Sequence, residues 1–237
     1  VAAVTRTDEL RANLADVRAR IDAAATAAGR DPAGVRLLPV TKFHPASDVE
    51  ILVELGAPDV AENREQEARG KAAEVPAARI HMIGQIQTKK ANSVARWAAS
   101  VHSVDSVRLA QALDRGMALA LERGERSDSP LPVYLQLSAD GDPARGGVAE
   151  GDLDELVDTV EAAGHLRLDG LMVVPPLGAD PADVFARAKL LCDELAGRLG
   201  RAMELSAGMS GDLEDAVAQG SDIVRVGTGV LGARPLP

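Results

Sequence analysis

Lys42 is the first side chain along this sequence placed to do covalent chemistry. It follows a short apolar run, Val35 to Val40, and shares the parity of Leu38 and Val40. If that run is a strand with Leu38 facing a core, the ammonium stands on the same face at the strand's end. An amine partly withdrawn from water there has a lowered pKa and can attack a carbonyl carbon. The same position equally suits a lysine whose stem covers apolar surface while its head reaches solvent. Position by itself leaves both readings open.

Two small-residue loops bear on the choice. Ser206 to Asp212 reads Ser-Ala-Gly-Met-Ser-Gly-Asp between a strand run and a helical run, and Val224 to Gly229 reads Val-Arg-Val-Gly-Thr-Gly after the last strand run. Hydroxyls and backbone N–H groups in such loops suit a phosphate; they suit ordinary turns too, with Ser210 as the N-cap of the next helix. Arg225 alternates with Val224 and Val226, so if the valines pack on helices its guanidinium faces an interior and needs a ligand or a carboxylate. Asn63, in Ala-Glu-Asn-Arg-Glu-Gln-Glu, can offer an amide to an oxygen near Lys42, or can occupy a left-handed turn. His81 reads as a satisfied core histidine. The four histidines lack metal-ligand spacing, and the single Cys192 lies with Leu191 and Leu195 on a helix's core side, so no metal is expected.

These residues need elements to bring them together. Apolar residues make up 46% of the 237 and aromatics only 2%, which points to a core of Ala, Val, Leu and Ile, the material of α/β folds. Eight branched runs alternate with helical stretches: Val35 to Val40, Asp59 to Ala61, Arg79 to Ile83, Ser100 to Val104, Val133 to Leu137, Leu166 to Val174, Ala202 to Leu205 and Asp222 to Val226. Eight such units and no linker composition imply one (β/α)8 TIM-type barrel domain over residues 1–237, with functional loops at the strands' C-terminal ends. A preceding amphipathic helix, Thr7 to Ala28, capped by Thr7 and stopped by Gly29, closes the outer ring, because no helix is expected after the last strand. The segments Glu122 to Pro132 and Ala139 to Gly151 are read as mobile loops. A net charge of −10 argues against nucleic acid; no run approaches membrane-spanning length, and the chain reads as a cytoplasmic monomer.

Six motifs in order resemble the pyridoxal phosphate homeostasis proteins, a fold-type III group whose barrel is similar to the alanine racemase N-terminal domain. They are Val-Thr-Lys-Phe at Val40 to Phe43, Glu-Asn-Arg-Glu-Gln-Glu at Glu62 to Glu67, and His-Met-Ile-Gly-Gln-Ile-Gln at His81 to Gln87. Gly-Leu-Met at Gly170 to Met172 and Gly-Met-Ser-Gly-Asp-Leu-Glu at Gly208 to Glu214 follow, then Val-Arg-Val-Gly-Thr with Gly-Ala-Arg between Val224 and Arg234. The resemblance implies pyridoxal 5'-phosphate bound covalently as a Schiff base on Lys42, with Asn63 beside the ring hydroxyl. It further implies phosphate contacts from Ser210, Gly227 and Thr228, with Met209 and Gly211 nearby, and Arg225 at the pyridine nitrogen. Ala61, Arg64 and Lys89 depart from the residues common in the family, which affects the pocket rim.

An arginine at the ring nitrogen disfavours the protonated pyridine that makes a strong electron sink. The lone Tyr134 is expected at the wrong end of the barrel to act as a second acid–base group. The implied role is therefore cofactor storage, protection or delivery, with apo-enzymes as recipients, and no robust catalysis. A weak racemase or related enzyme, and a cofactor-free Schiff-base aldolase on a phosphosugar, remain the alternatives.

Overall fold

The computed structural model describes residues 4–233; Arg234, the end of the last motif, lies outside the described residues. Helix α1 (Arg6–Ala27) precedes the repeating units β1 (Arg36–Pro39), α2 (Ala46–Glu54), β2 (Asp59–Glu62), α3 (Glu65–Glu74), β3 (Arg79–Met82), α4 (Ala91–Trp97), β4 (Ser100–Val104) and α5 (Val107–Glu122). The second half runs β5 (Leu131–Gln136), α6 (Leu153–Glu161), β6 (Leu166–Met172), α7 (Pro181–Leu199), β7 (Glu204–Ser206), α8 (Leu213–Ala218), β8 (Ile223–Val226) and α9 (Thr228–Leu231). The strands pair in parallel in the order β1-β8-β7-β6-β5-β4-β3-β2. A single bridge, Val40 to Ala61, with the Thr41 N–H 3.0 Å from the Ala61 carbonyl, brings β2 back to β1 and closes the ring. The expected (β/α)8 architecture is what forms.

Alternation along each strand separates two environments. Val60, Ile80, Val224 and Val226 pack outward into one core with Leu10, Leu14, Val17 and Ile21 of α1. Leu38, Val40, Ala61, Tyr134, Met172 and Ile223, from five strands around the ring, meet in a smaller inner cluster. That inner cluster does not fill the barrel: Ser100, His102, Ser206 and Arg225 are buried there as well, a polar filling that must be hydrogen-bonded to be tolerated.

Helix α1 completes the outer ring as expected, but its cap is Thr5, not Thr7. The Thr5 hydroxyl accepts the Asp8 N–H at 3.2 Å while the Asp8 carboxylate reaches back to the Thr5 N–H, a reciprocal pair that Thr7, already inside the first turn, does not form. Five buried aliphatic residues fix its inner face. Arg6 forks onto Asp48 (3.0 and 2.6 Å), the Asn13 amide donates to the Val230 carbonyl (2.9 Å) and Arg20 donates to the Ser210 carbonyl (3.0 Å). Contrary to expectation, a one-turn helix, α9, does follow β8 within the described residues; α1 packs against it and α8.

Other boundaries move for physical reasons. The seventh strand starts two residues later than the apolar run suggests, because Met203 and Leu205 both face the outer core, and Ser206 ends up inside the barrel instead of heading a loop. Within Glu122 to Pro132, Glu122 still belongs to α5 and Leu131 already to β5. The Ala139 to Gly151 segment is pinned: Val148 bridges Leu137, and Arg145 donates to the Val174 and Pro175 carbonyls at 3.1 and 3.0 Å.

Candidate functional site

Lys42 leaves β1 in a tight turn and is half-buried. The next residue, Phe43, has φ 69°, the left-handed region that non-glycine residues seldom enter. Helix α3 holds that turn from both sides. The Phe43 N–H donates to Glu67 Oε1 at 2.7 Å, and the Thr41 carbonyl accepts from Lys71 Nζ at 2.7 Å. Glu67 and Lys71, one helical turn apart, are themselves paired at 2.8 Å, and Lys71 also reaches Glu62 Oε1 at 2.6 Å. The Thr41 hydroxyl adds a second contact to Glu62 at 2.5 Å. Glu62 is fully buried with its second oxygen unpartnered; burial raises its pKa, and the Lys71 ammonium opposes that rise. The backbone on each side of Lys42 is thus clamped by a buried ion cluster. Outside it, the Arg64 guanidinium lies 5.2 Å from the Phe43 ring centroid, a cation–π contact at the rim.

Ring order brings the other predicted residues beside this turn. β7, β8, β1 and β2 are consecutive neighbours, so the loops carrying Ser210 and Thr228 flank Lys42 on one side and Asn63 on the other. Asn63 follows β2, is half-buried, and its side chain has no partner among the described residues; its φ is not positive, so the left-handed turn reading is excluded. Across from it, Gly84 passes so close that a Cβ would stand 2.1 Å from the Asn63 carbonyl oxygen, and only glycine permits this approach.

Ser210 is not the cap of α8: Asp212 occupies that place and its carboxylate accepts the Met209 N–H at 2.5 Å. The Ser210 hydroxyl instead faces the β8 loop, 3.3 Å from both the Thr228 hydroxyl and the Gly229 N–H. The N–H groups of Ser210, Gly211 and Thr228 have no acceptor among the described residues. Two hydroxyls and free N–H groups from adjoining loops form a cradle whose chemistry fits a phosphate. Gly227 lines its inner edge, 3.6 Å from the Val40 carbonyl by its hypothetical Cβ; the Met209 side chain lies at the exposed rim.

Arg225 points into the barrel, 3% exposed. Its Nη1 donates to the Ser206 hydroxyl at 2.8 Å and its Nη2 to the Val173 carbonyl at 3.0 Å. Neither partner is charged, so no structural ion pair neutralises it among the described residues; burial pushes its pKa down to about 10, partly countered by Asp212. Tyr134 lies on β5 toward the opposite end, its hydroxyl bonded to Glu204, and lines a cavity of about 470 Å³ at the strands' N-terminal face. His81 is satisfied by Ser100 and Asp59 at 2.6 and 2.8 Å, and Cys192 is buried on α7, its thiol pushed up to about 12 by burial.

Two groups escaped the sequence reading. Lys71 left only a Glu–Lys pair at helical spacing, which ordinarily marks a solvated face. His102 left the pattern Ser-Val-His-Ser-Val, which puts Ser100 and His102 on one strand face; its second partner, Ser206, is distant in sequence.

The chain from residue 8 to 235 matches the family model described as alanine racemase, N-terminal domain. A pyridoxal phosphate homeostasis protein of Corynebacterium glutamicum is 56% identical over 220 residues, covering 93% of this chain and all of that protein. The crystal structure of PipY from Synechococcus elongatus with PLP bound superposes with TM-score 0.79 at 32% identity, covering 94% of this chain and 100% of that one. Alanine racemase of Corynebacterium glutamicum shares the fold, with TM-score 0.68 at 15% identity over 97% of this chain and 62% of that chain.

Proposed function

Because the chain belongs to the pyridoxal phosphate homeostasis proteins within the alanine racemase N-terminal domain family, we propose that it carries pyridoxal 5'-phosphate as a Schiff base on Lys42 and takes part in storing, protecting or delivering that cofactor. The observation that carries this is the convergence of an amine, an amide, a guanidinium and a two-hydroxyl cradle on the ends of four adjacent strands. When bound, the cofactor supplies an aldehyde that a primary amine can mask reversibly. Lys42 provides the amine, on a turn that the Lys71–Glu67 clamp holds still. Ser210, Gly227 and Thr228, with the Gly211 N–H and Met209 at the edge, hold the phosphate; Asn63 orients the ring hydroxyl. Arg225 can only donate hydrogen bonds, so it leaves the ring nitrogen without a proton of its own and the electron sink weak. Tyr134 at the far end supports cofactor handling over racemisation. The reading extends to a cytoplasmic monomer whose partners are apo-enzymes that need the cofactor.

Borohydride reduction of the protein after adding pyridoxal phosphate, followed by digestion, should give one pyridoxyl peptide containing Lys42. An adduct on another lysine refutes the site, and a protein that stays colourless refutes cofactor binding altogether. Rapid exchange of amino-acid α-hydrogens in deuterated water, at about 10 per second as in ordinary enzymes, would defeat the handling role.

A further inference from the structure

We propose that His102 and Ser206 are positioning residues for Arg225, forming the inner end of a hydrogen-bonded chain of one polarity that runs the length of the barrel to Asp59. The links are short throughout: Arg225 Nη1 to Ser206 Oγ 2.8 Å, Ser206 Oγ to His102 Nδ1 2.9 Å, His102 Nε2 to Ser100 Oγ 2.9 Å, Ser100 Oγ to His81 Nδ1 2.6 Å, and His81 Nε2 to Asp59 Oδ1 2.8 Å. Five strands contribute, and every member except the ends is both donor and acceptor.

The ends suit one direction, in which each hydroxyl accepts one hydrogen and donates its own. A guanidinium only donates and a carboxylate only accepts. Ser206 therefore accepts from Arg225 and spends its own hydrogen on His102 Nδ1. His102, kept neutral chiefly by complete burial, then carries its proton on Nε2 and gives it to Ser100. Ser100 donates to His81 Nδ1, and His81 donates from Nε2 to Asp59, which Arg79 also grips at 2.8 Å. His102 is held in place by Tyr134, tilted against it with ring centroids 4.1 Å apart, and by the edge of His81 at 5.9 Å. By taking the Ser206 hydrogen, it keeps a hydroxyl lone pair aimed at Arg225 and prevents the hydroxyl from rotating its hydrogen toward the cation.

The device explains why no carboxylate touches Arg225 among the described residues. A carboxylate at Ser206 would neutralise the guanidinium; a hydroxyl orients it and leaves its charge facing the cofactor pocket, where Asp212 acts on it without a direct contact. In the walls of the cavity at the Asp59 end, Arg36 pairs with Glu204, Arg167 with Asp169, and Asp59 with His81 and Arg79.

The proposal rests on Arg225 meeting the ring nitrogen, and the test separates the two. In 15N-histidine-labelled protein without cofactor, long-range 1H–15N spectra should show His102 as a neutral Nε2–H tautomer; an Nδ1–H or doubly protonated His102 overturns the chain. With cofactor labelled with 15N in the ring, Ser206→Ala and His102→Gln should displace the ring resonance and weaken binding on the order of tenfold, while Ser206→Thr, which keeps the hydroxyl, restores both. If Arg225→Met moves the resonance and neither Ser206→Ala nor His102→Gln does, the positioning role is refuted. If Arg225→Met leaves it unmoved, Arg225 is not at the ring nitrogen, and the inference falls with that reading.

Discussion

Replacing Lys71 with Met isolates the clamp behind Lys42. The Lys71 ammonium is 6% exposed and donates to three oxygens at 2.6, 2.7 and 2.8 Å: Glu62, the Thr41 carbonyl and Glu67. The methionine keeps the stem and its packing, so the loss is that of the charge. Removing one member of a buried pair costs about 3–5 kcal/mol, because the other is left buried and unpaired. Glu62 is that other member, with no exposed surface and one oxygen already orphaned. Its pKa is raised in the folded protein, chiefly by burial, and losing Lys71 raises it further. A carboxyl with a raised folded pKa binds a proton more readily folded than unfolded, so its contribution is most favourable below the unfolded value and is lost as pH climbs through the folded one. The destabilisation of Lys71→Met should therefore approach the full cost at pH 8 and shrink toward pH 5, as more of Glu62 takes up a proton. Urea unfolding of the cofactor-free protein at both pH values measures it, and Glu62→Gln added to Lys71→Met should recover much of the pH 8 loss. A cost below about 1 kcal/mol at pH 8, or a cost that grows on acidification, refutes the reasoning. At pH 5, with the fold largely retained, slower labelling of Lys42 in a borohydride trap would report loss of the turn alone.

Other expectations follow from single contacts. Ser210→Ala and Thr228→Ala each remove a hydroxyl from the cradle and should weaken pyridoxal phosphate binding by roughly tenfold while affecting pyridoxal less; equal losses for the two ligands, by absorbance titration, would remove the phosphate from this cradle. Phe43→Gly should be more stable than Phe43→Ala by about 1 kcal/mol in thermal melts, because glycine alone occupies φ 69° without strain; the reverse order would show that the turn is relaxed. Arg225→Met replaces a buried cation held only by neutral acceptors, so the cofactor-free protein should melt no lower than the parent while cofactor affinity falls. A large loss of stability would make Arg225 a structural residue.

What was legible in the sequence depended on how local its signal is. The parity of Leu38 and Val40 survives because a strand repeats every two residues whatever surrounds it. The valines flanking Arg225 point outward for the same reason, and their alternation was enough to send the guanidinium inside. Ser210 could be singled out but not given its role: a serine ahead of a helical run is an ordinary cap, and only the fold shows Asp212 in that place and the serine turned toward Thr228. Lys71 was illegible, since a Glu–Lys pair one turn apart looks solvated until the Thr41 carbonyl, 30 residues upstream, is found beneath it. His102 gave half its meaning; Ser100 is two residues away on the same face, but Ser206 is 104 residues on. The late start of β7 had a similar origin, because the run from Ala202 to Leu205 is apolar without stating which of its residues face the barrel.

The grip of α1 on the last loops has a consequence for how the protein is made. Lys42 emerges from the ribosome with the first strand, yet the residues that would hold a phosphate beside it lie at the end of the barrel, and Arg20 and Asn13 steady those loops from a helix made before that strand. For most of translation the lysine exists without its cradle. Pieces far apart in time of synthesis must meet before the site exists, so a partly made or proteolytically shortened molecule would present an amine but no grip on the ligand. Cofactor retention would then act as a test of completed assembly, passed only by a molecule in which the two ends of the barrel have found each other.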